Sequence, residues 1–342
     1  MAKKLDIAIV GFGSVGRNLA KLLVHKKEFI EKKYNIVVNV VAVMDSKGAV
    51  VKENGLSPYE LLKLSELPRS SICLYKPYGI PNAGLKDVYA RILPDVHVEL
   101  TPSNYTNGEP GLSHIMYALE HGVNVVSSNK APFVLEYDKI MEASLRKNLI
   151  VKFKATVMAG TPLIDLLMGL KGYEVEVVEG ILNGTTNFIL TEMHENLVSF
   201  SDALKKARVL GIAEANPDLD VKGFDAAAKL VIISNILGTP IRLSDVVRED
   251  LSRIDLRDVY NAIKNGMVIK FIARLHVADR KGSVRVEKIP RSNILASVNG
   301  TLNCVVVKTD VNTITVIGKG AGGVETAHAV LDDILSIGVM TR

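Results

Sequence analysis

Asp225 and Lys229 stand four residues apart in the stretch 214–230, Glu-Ala-Asn-Pro-Asp-Leu-Asp-Val-Lys-Gly-Phe-Asp-Ala-Ala-Ala-Lys-Leu. Asn216-Pro217 and Gly223 mark its first half as a polar loop. From Asp225 to about Leu237 the residues are apolar nearly all round, as in a buried helix. At this spacing the carboxylate and the ammonium share one face of the helix, near its start. One reading is a solvated salt bridge contributing roughly 0.3–0.5 kcal/mol. The other is a functional pair, because two charges at the mouth of a buried helix need a partner or a purpose. A calcium loop is excluded. Asp218, Asp220 and Gly223 fall at its positions one, three and six, but position twelve is Lys229 where a bidentate Glu is required.

A second chemistry is written near the start of the chain. Ile7-Ala-Ile-Val10 reads as a buried strand and runs directly into Gly11-Phe12-Gly13-Ser14-Val15-Gly16, with a helix from Arg17 to about Lys26. This is G-x-G-x-x-G in the strand–turn–helix setting that the dinucleotide fingerprint requires. Gly11 permits the tight turn, Gly13 lets a pyrophosphate approach the backbone, and Gly16 lets helix and strand pack closely. The free N–H groups at the helix start then face the phosphates.

The next strand, Val37 to Met44, ends in Asp45, an acid placed to take the ribose hydroxyls. The basic segment 26–33 accounts for its distance from Gly16 as an extra solvated helix. Lys47 and Lys52 lie just beyond and could hold a 2′-phosphate. Asp45 argues for NAD and Lys47 for NADP, so the cofactor stays open between them. Leu56 to Leu67 is a helix with Ser57 as its cap. Val96 to Leu100 is a strand ending in Thr101-Pro102-Ser103-Asn104, at the sheet edge where doubly wound folds bind ligands. A helix from Glu109 to Glu120 and a strand from Val123 to Val126 lead to Ser127-Ser128-Asn129-Lys130. Lys130 is thus a second lysine at a strand end.

From about residue 150 the pattern changes. Residues 151–156 alternate as in a half-buried strand, and Tyr173 to Gly180 alternates again. The cluster Asn183-Gly-Thr185-Thr-Asn187 suits either a polar ligand or a turn. Ser201 to Gly211 is a helix. Hairpins are expected over 270–288, across Asp279 to Gly282, and over 304–317, turning at Asp310 to Asn312. The glycines of 318–323 open a last helix, Glu325 to Ser336, which is expected to return to the first domain with Gly322 close to the cofactor. The fold class is α/β: a Rossmann-type doubly wound parallel sheet over residues 1–150 plus 318–342, and a second α+β domain over 151–317 for substrate binding and dimerisation.

A length of 342 residues suits two domains. With 48% hydrophobic and 23% charged residues the composition is that of a folded soluble protein. The net charge of +5 is spread along the chain, so a nucleic-acid partner is not expected. Cys73 and Cys304 provide neither a disulfide framework nor zinc spacing, which fits a reducing cytoplasm. No signal peptide opens the chain, and no apolar run is long enough to span a membrane.

Taken in order, 11–16, 127–130, 183–187, 214–229 and Gly320-Ala-Gly-Gly323 make the chain resemble homoserine dehydrogenase, in its short form without a regulatory or kinase portion. The resemblance implies NAD(P)-dependent interconversion of L-aspartate 4-semialdehyde and L-homoserine, on the route to threonine, methionine and isoleucine. It implies a homodimer through the second domain's sheet. By the same resemblance Lys229 is the general acid and Lys130 the other active-site lysine. Glu214 holds the substrate, with Asp220, Thr185 and Asn183 beside it, and Asp225 bonds at the reacting end. Fixed cations stabilise developing alkoxide charge in a dry crevice. Members that bind a monovalent cation, Na or K, often have Glu where Lys154 stands. That ammonium could replace the metal, with Val157, Ala159 and Thr161 as remaining ligands. Asn216 replaces a usual Asp, and Lys319 a common proline. Two other readings stand beside this one. A catalytically silent nucleotide sensor would bind cofactor without turnover. An aspartate-semialdehyde dehydrogenase would need a nucleophilic thiol, and neither Cys73 nor Cys304 is well placed.

Overall fold

The computed structural model describes residues 2–214 and 216–341. It divides into two compact units, one formed by residues up to Thr156 together with Gly322 onward, the other by Val157–Ala321.

The first unit is built on seven strands: β1 (Lys3–Val10), β2 (Ile36–Asp45), β3 (Gly48–Val51), β4 (Gly79–Pro81), β5 (Val96–Glu99), β6 (Asn124–Ser127) and β7 (Val151–Lys152). Their order is β4-β3-β2-β1-β5-β6-β7. β2, β1, β5, β6 and β7 are mutually parallel, and β3 and β4 form an antiparallel edge. Ile7 to Val10 and Val40 to Val43 are buried without alternation, as expected of strands covered on both faces. From β1 the chain goes outward to β2 and later returns to β5 on the other side. The carboxyl ends of β1 and β5 are therefore the switch point where such sheets bind ligands. Gly11 follows β1 there. It has φ +100°, and a Cβ on it would stand 2.5 Å from the Leu100 carbonyl carbon.

The Ser14–His25 helix packs against the Pro58–Glu66 and Gly323–Met340 helices. Ser57 caps the Pro58–Glu66 helix in a capping box with Glu60. The glycine that opens the last helix has a local reason: a Cβ on Gly323 would lie 2.3 Å from Ser14 Oγ. That glycine brings the last helix onto the helix that follows the nucleotide loop.

The half-buried strand expected over 151–156 is corrected. Only Val151–Lys152 pairs in the sheet, and Lys154–Thr156 is a buried 3₁₀ turn. Thr156 closes the turn by donating its N–H and hydroxyl to the Phe153 carbonyl. The Lys154 N–H is taken by Asp333 Oδ2 at 2.9 Å. A carboxylate so distant in sequence leaves no mark on the local alternation.

The second unit carries β8 (Val175–Ile181), β9 (Val247–Arg248), β10 (Met267–His276), β11 (Lys281–Pro290), β12 (Leu302–Thr309) and β13 (Thr313–Lys319). The order β13-β12-β8-β10-β11-β9 sets β8 between the two expected hairpins. All pairs are antiparallel except β11 with β9. The Phe224–Ile236 helix is buried from Ala226 to Ser234 and packs on β10 and β11. Residues 183–187 do not form a turn but begin a helix, Gly184–Glu195, capped by Asn183. Among the described residues no helix is long and apolar enough to cross a membrane.

Candidate active site

In the first unit the glycine loop is a structured cradle. The Ser14–His25 helix begins at it, and no side chain caps that helix, so its first N–H groups remain for a ligand. A Cβ on Gly16 would stand 2.5 Å from the Gly11 carbonyl oxygen, whereas one on Gly13 would meet nothing within 4 Å. Gly16 therefore serves packing, whereas the backbone at Gly13 is open on the side a Cβ would take. Arg17 braces the loop from behind: its guanidinium lies over the Phe12 ring and donates to the carbonyls of Phe12, Ser65, Leu67 and Pro68. These carbonyls include the C-terminal end of the Pro58–Glu66 helix, where a cation is favoured. Nothing in the spacing of the motif foretold that role.

Asp45 ends β2 with its carboxylate accepting from the backbone N–H of Lys47 at 2.8 Å and of Ile72 at 3.3 Å. Lys47 is exposed. Lys52 is not available for a phosphate as expected. It lies over the Tyr78 ring and donates to both oxygens of Glu60, whose own attachment to the Ser57 cap holds it there. Thr101 and Pro102 follow β5, and Ser128 lies between β6 and the Lys130–Leu135 helix. Lys130 is half-buried, and its N–H donates to Ser103 Oγ at 3.0 Å. Gly322 has φ +124°, a conformation suited to glycine.

In the second unit, Lys229 and Asp225 form the centre of a polar cluster. Lys229 Nζ lies 2.8 Å from Asp225 Oδ2 and donates to the Leu182 carbonyl at 2.5 Å. The side chains are 5% and 17% exposed. A nearby pair with the same spacing, Asp218 and Lys222, is 56% and 49% exposed. The surface salt-bridge reading belongs to that second pair, and Asp225–Lys229 is a desolvated one. Asn183 binds the cluster together. Its Oδ1 caps the Gly184–Glu195 helix on the Thr186 N–H, and its amide donates to Asp220 Oδ1 at 2.6 Å and Asp225 Oδ2 at 3.0 Å. Burial and the neighbouring Asp225 carboxylate raise the Asp220 carboxyl above its usual range, against the Asn183 bond. Thr185 Oγ1 donates to the Ile212 carbonyl at 3.2 Å. Glu214 is exposed at the rim of the described loop, and Ala215 lies outside the described residues. The Leu182 carbonyl was not foreseen as a Lys229 anchor, because backbone acceptors carry no sequence signal.

Val157, Ala159 and Thr161 are buried, and Met158 and Ala159 both have positive φ, a strained pair of adjacent positions. The Lys154 ammonium is engaged by the carboxylates of Asp332 and Asp333. An ammonium so held has no lone pair to offer a cation, and among the described residues no group of three or more His, Cys, Asp or Glu side chains could hold a metal ion. This donor set does not fit a metal at Lys154. The thiol chemistry of an aspartate-semialdehyde dehydrogenase finds no support either. Both cysteines are buried, and burial pushes the Cys304 thiol up to about 11.

Comparison with known proteins identifies the family. Residues 162–335 match the family model "Homoserine dehydrogenase", and residues 1–92 match "Glutamate/Leucine/Phenylalanine/Valine dehydrogenase". The chain is 39% identical to a homoserine dehydrogenase of Methanocaldococcus jannaschii, over 97% of this chain and 98% of that one. The chain belongs to the homoserine dehydrogenase family. It is also 35% identical to an NAD(+)-dependent homoserine dehydrogenase of Pseudomonas canavaninivorans, covering 97% of this chain and 95% of that one. A hyperthermophilic archaeal homoserine dehydrogenase in complex with NADPH aligns with TM-score 0.83 and 29% identity, covering 98% of each chain.

Proposed function

We propose that Lys229 is the general acid of an NAD(P)-dependent homoserine dehydrogenase, with Asp225 orienting its ammonium and Lys130 as the second cation at the carbonyl oxygen. The enzyme interconverts L-aspartate 4-semialdehyde and L-homoserine, a step of amino-acid biosynthesis. The observation that supports Lys229 most is its burial beside Asp225 and the Leu182 carbonyl. Two of its three N–H donors face those oxygens, and the third is the one we assign to substrate.

A bound nicotinamide would supply or accept the hydride at the substrate carbon. As semialdehyde is reduced, Lys229 Nζ gives its proton to the carbonyl oxygen. In the reverse direction the neutral amine takes the hydroxyl proton. Asp225 holds the nitrogen on one line throughout, and its own second contact to Asn183 prevents it from swinging. A positive charge fixed before the reaction costs no reorganisation when the alkoxide develops. Glu214, Asp220, Asn183 and Thr185 supply the acceptors and polar contacts for the substrate's ammonium end. Residues 11–16 would hold the pyrophosphate, Asp45 the ribose hydroxyls of NAD or Lys47 the 2′-phosphate of NADP, and Thr101, Pro102, Ser128 and Gly322 would line the remainder. We assign residues 1–150 plus 318–342 to cofactor binding and 151–317 to substrate binding and dimerisation.

The same reading makes the protein a cytoplasmic homodimer, associated through the sheet of the second unit. Two free, buried cysteines are compatible with a reducing compartment. Light scattering on the purified protein tests the dimer. Initial rates with homoserine and either NAD or NADP at alkaline pH test the activity, and absence of turnover with both would overturn it.

A further inference from the structure

Behind the Thr101 turn the first unit buries a charged cluster that the chemistry above does not use. Glu99 is the last residue of β5, His97 lies two before it, and both are fully buried. A carboxylate in such a place must be matched by donors. Glu99 has four. Oε2 accepts from His97 Nε2 at 3.3 Å and His114 Nδ1 at 2.9 Å. Oε1 accepts from the Thr101 N–H at 2.8 Å and from the Thr101 hydroxyl. Burial opposes the charge, but the bonds from His114 and His97 prevail and hold the carboxyl down at about 2. His97 is kept below its usual range by burial, against the pull of Glu99. Neutral His97 donates from Nε2, so its Nδ1 accepts from the Tyr89 hydroxyl at 3.2 Å.

The bonds continue forward. The Thr101 hydroxyl, having donated to Glu99, accepts from Asn129 Nδ2 at 3.1 Å. The same amide donates to the Pro102 carbonyl at 3.3 Å. Asn129 Oδ1 caps the Lys130–Leu135 helix on the Ala131 N–H at 3.2 Å. Ser103 Oγ takes the N–H of Lys130 itself. Gly111 makes room for the amide, since a Cβ there would be 2.4 Å from Asn129 Nδ2. The Thr101 turn also presses on the glycine loop: the Thr101 nitrogen would be 2.7 Å from a Cβ on Gly11.

We propose that Glu99 and Asn129 are positioning residues: Glu99 fixes the Thr101 turn from beneath, and Asn129 carries that constraint to the helix start that places Lys130. The inference rests on the assignment of Thr101 to the cofactor and Lys130 to the substrate carbonyl. An ionised carboxylate suits the task because charge-assisted bonds are short and directional. His97, held neutral by burial, supplies a donor without adding a second buried charge.

Two variants of the full chain test this. Asn129→Ser keeps a capping oxygen for the helix but removes the amide donors to Thr101 and Pro102. Glu99→Gln keeps the shape and removes the charge. For each, the thermal midpoint, cofactor Kd, kcat, KM and the deuterium isotope effect with homoserine labelled at the hydroxyl-bearing carbon are measured. Asn129→Ser is expected to lower kcat about 10- to 100-fold, the scale for a displaced reacting group. The isotope effect should rise as hydride transfer becomes limiting, with cofactor Kd and midpoint close to wild type. Glu99→Gln should shift kcat and isotope effect the same way with a lower midpoint. Wild-type kcat and isotope effect in Asn129→Ser would overturn the proposal. So would a loss of activity that follows the midpoint with the isotope effect unmoved. Lys130→Ala, measured in parallel, separates the two layers. If it is fully active, the Lys130 assignment fails and the positioning role fails with it. If it is inactive while Asn129→Ser is normal, only the positioning role fails.

Discussion

Lys229 Nζ lies 2.8 Å from Asp225 Oδ2, one turn earlier on the same buried helix. In such a place the pair must do more than solvate itself, because desolvating two charges costs several kcal/mol per ion. Lys229→Ala is expected to reduce kcat by about 10²- to 10⁴-fold, the usual weight of a general acid. Cofactor affinity should be retained. Lys222→Ala, which breaks the exposed pair of the same spacing, should leave both activity and unfolding unchanged. Steady-state rates and cofactor titration on the two variants decide the assignment, and an active Lys229→Ala enzyme refutes it.

Asn183 keeps two carboxylates apart by donating to both. Asp220 already has its carboxyl raised by burial and by Asp225, with the Asn183 bond opposing. Asn183→Ala removes that opposition and raises the carboxyl further. If ionised Asp220 holds the substrate ammonium, activity falls as pH drops through its titration. The acid limb of kcat/KM should therefore move to higher pH in the variant, with KM for homoserine raised more than kcat is lowered. A limb that stays in place would detach Asp220 from substrate binding.

The glycine loop separates fold from function residue by residue. A Cβ on Gly13 meets no protein atom within 4 Å, and its φ of −81° lies outside the left-handed region. Gly13→Ala should unfold at the wild-type temperature yet bind the dinucleotide at least about tenfold more weakly, since only the approaching pyrophosphate would be obstructed. Gly11→Ala should lose stability as well, because its φ is +100° and the Leu100 carbonyl carbon would be 2.5 Å away. Differential scanning fluorimetry with and without cofactor distinguishes them. Wild-type affinity in Gly13→Ala would remove the loop from the binding site.

Much of this was legible because the signals are local. A strand running into glycines announces the nucleotide loop, and the apolar run after Asp225 announces a buried helix. The turn at 154–156 was not legible, because Asp333 from the last helix captures the Lys154 N–H. The helix Gly184–Glu195 was hidden for another reason. Its first turn is built of Gly, Thr and Asn, poor helix formers, and Asn183 as cap tips the balance. Lys52 looked like a phosphate ligand because its partner, Glu60, lies beyond a turn that the spacing does not reveal. Local periodicity placed the parallel strands of the first unit and the buried helix after Asp225, whereas the polar contacts between elements carry no local signal.

His194 provides a pH test of the second unit. Its Nε2 accepts the Ile269 N–H at 3.0 Å, which requires a deprotonated ring nitrogen. Burial first, and then the cations Lys270 and Arg291, pull its pKa down to about 4. The unfolded chain has the ordinary value near 6.5. Above that value neither state binds the proton, and the contribution to stability is complete. As pH falls from about 6.5 toward 4, the unfolded state takes up a proton that the folded state refuses, so stability declines. Below about 4 both are protonated and the decline from this group ends. The slope is at most about 1.4 kcal/mol per pH unit, less where water reaches the ring. His194→Gln keeps an amide oxygen to accept from Ile269 but cannot titrate. Urea midpoints measured from pH 7.5 to 4 should therefore fall less steeply in the variant than in the wild type. An unchanged slope would place the acid sensitivity in other groups.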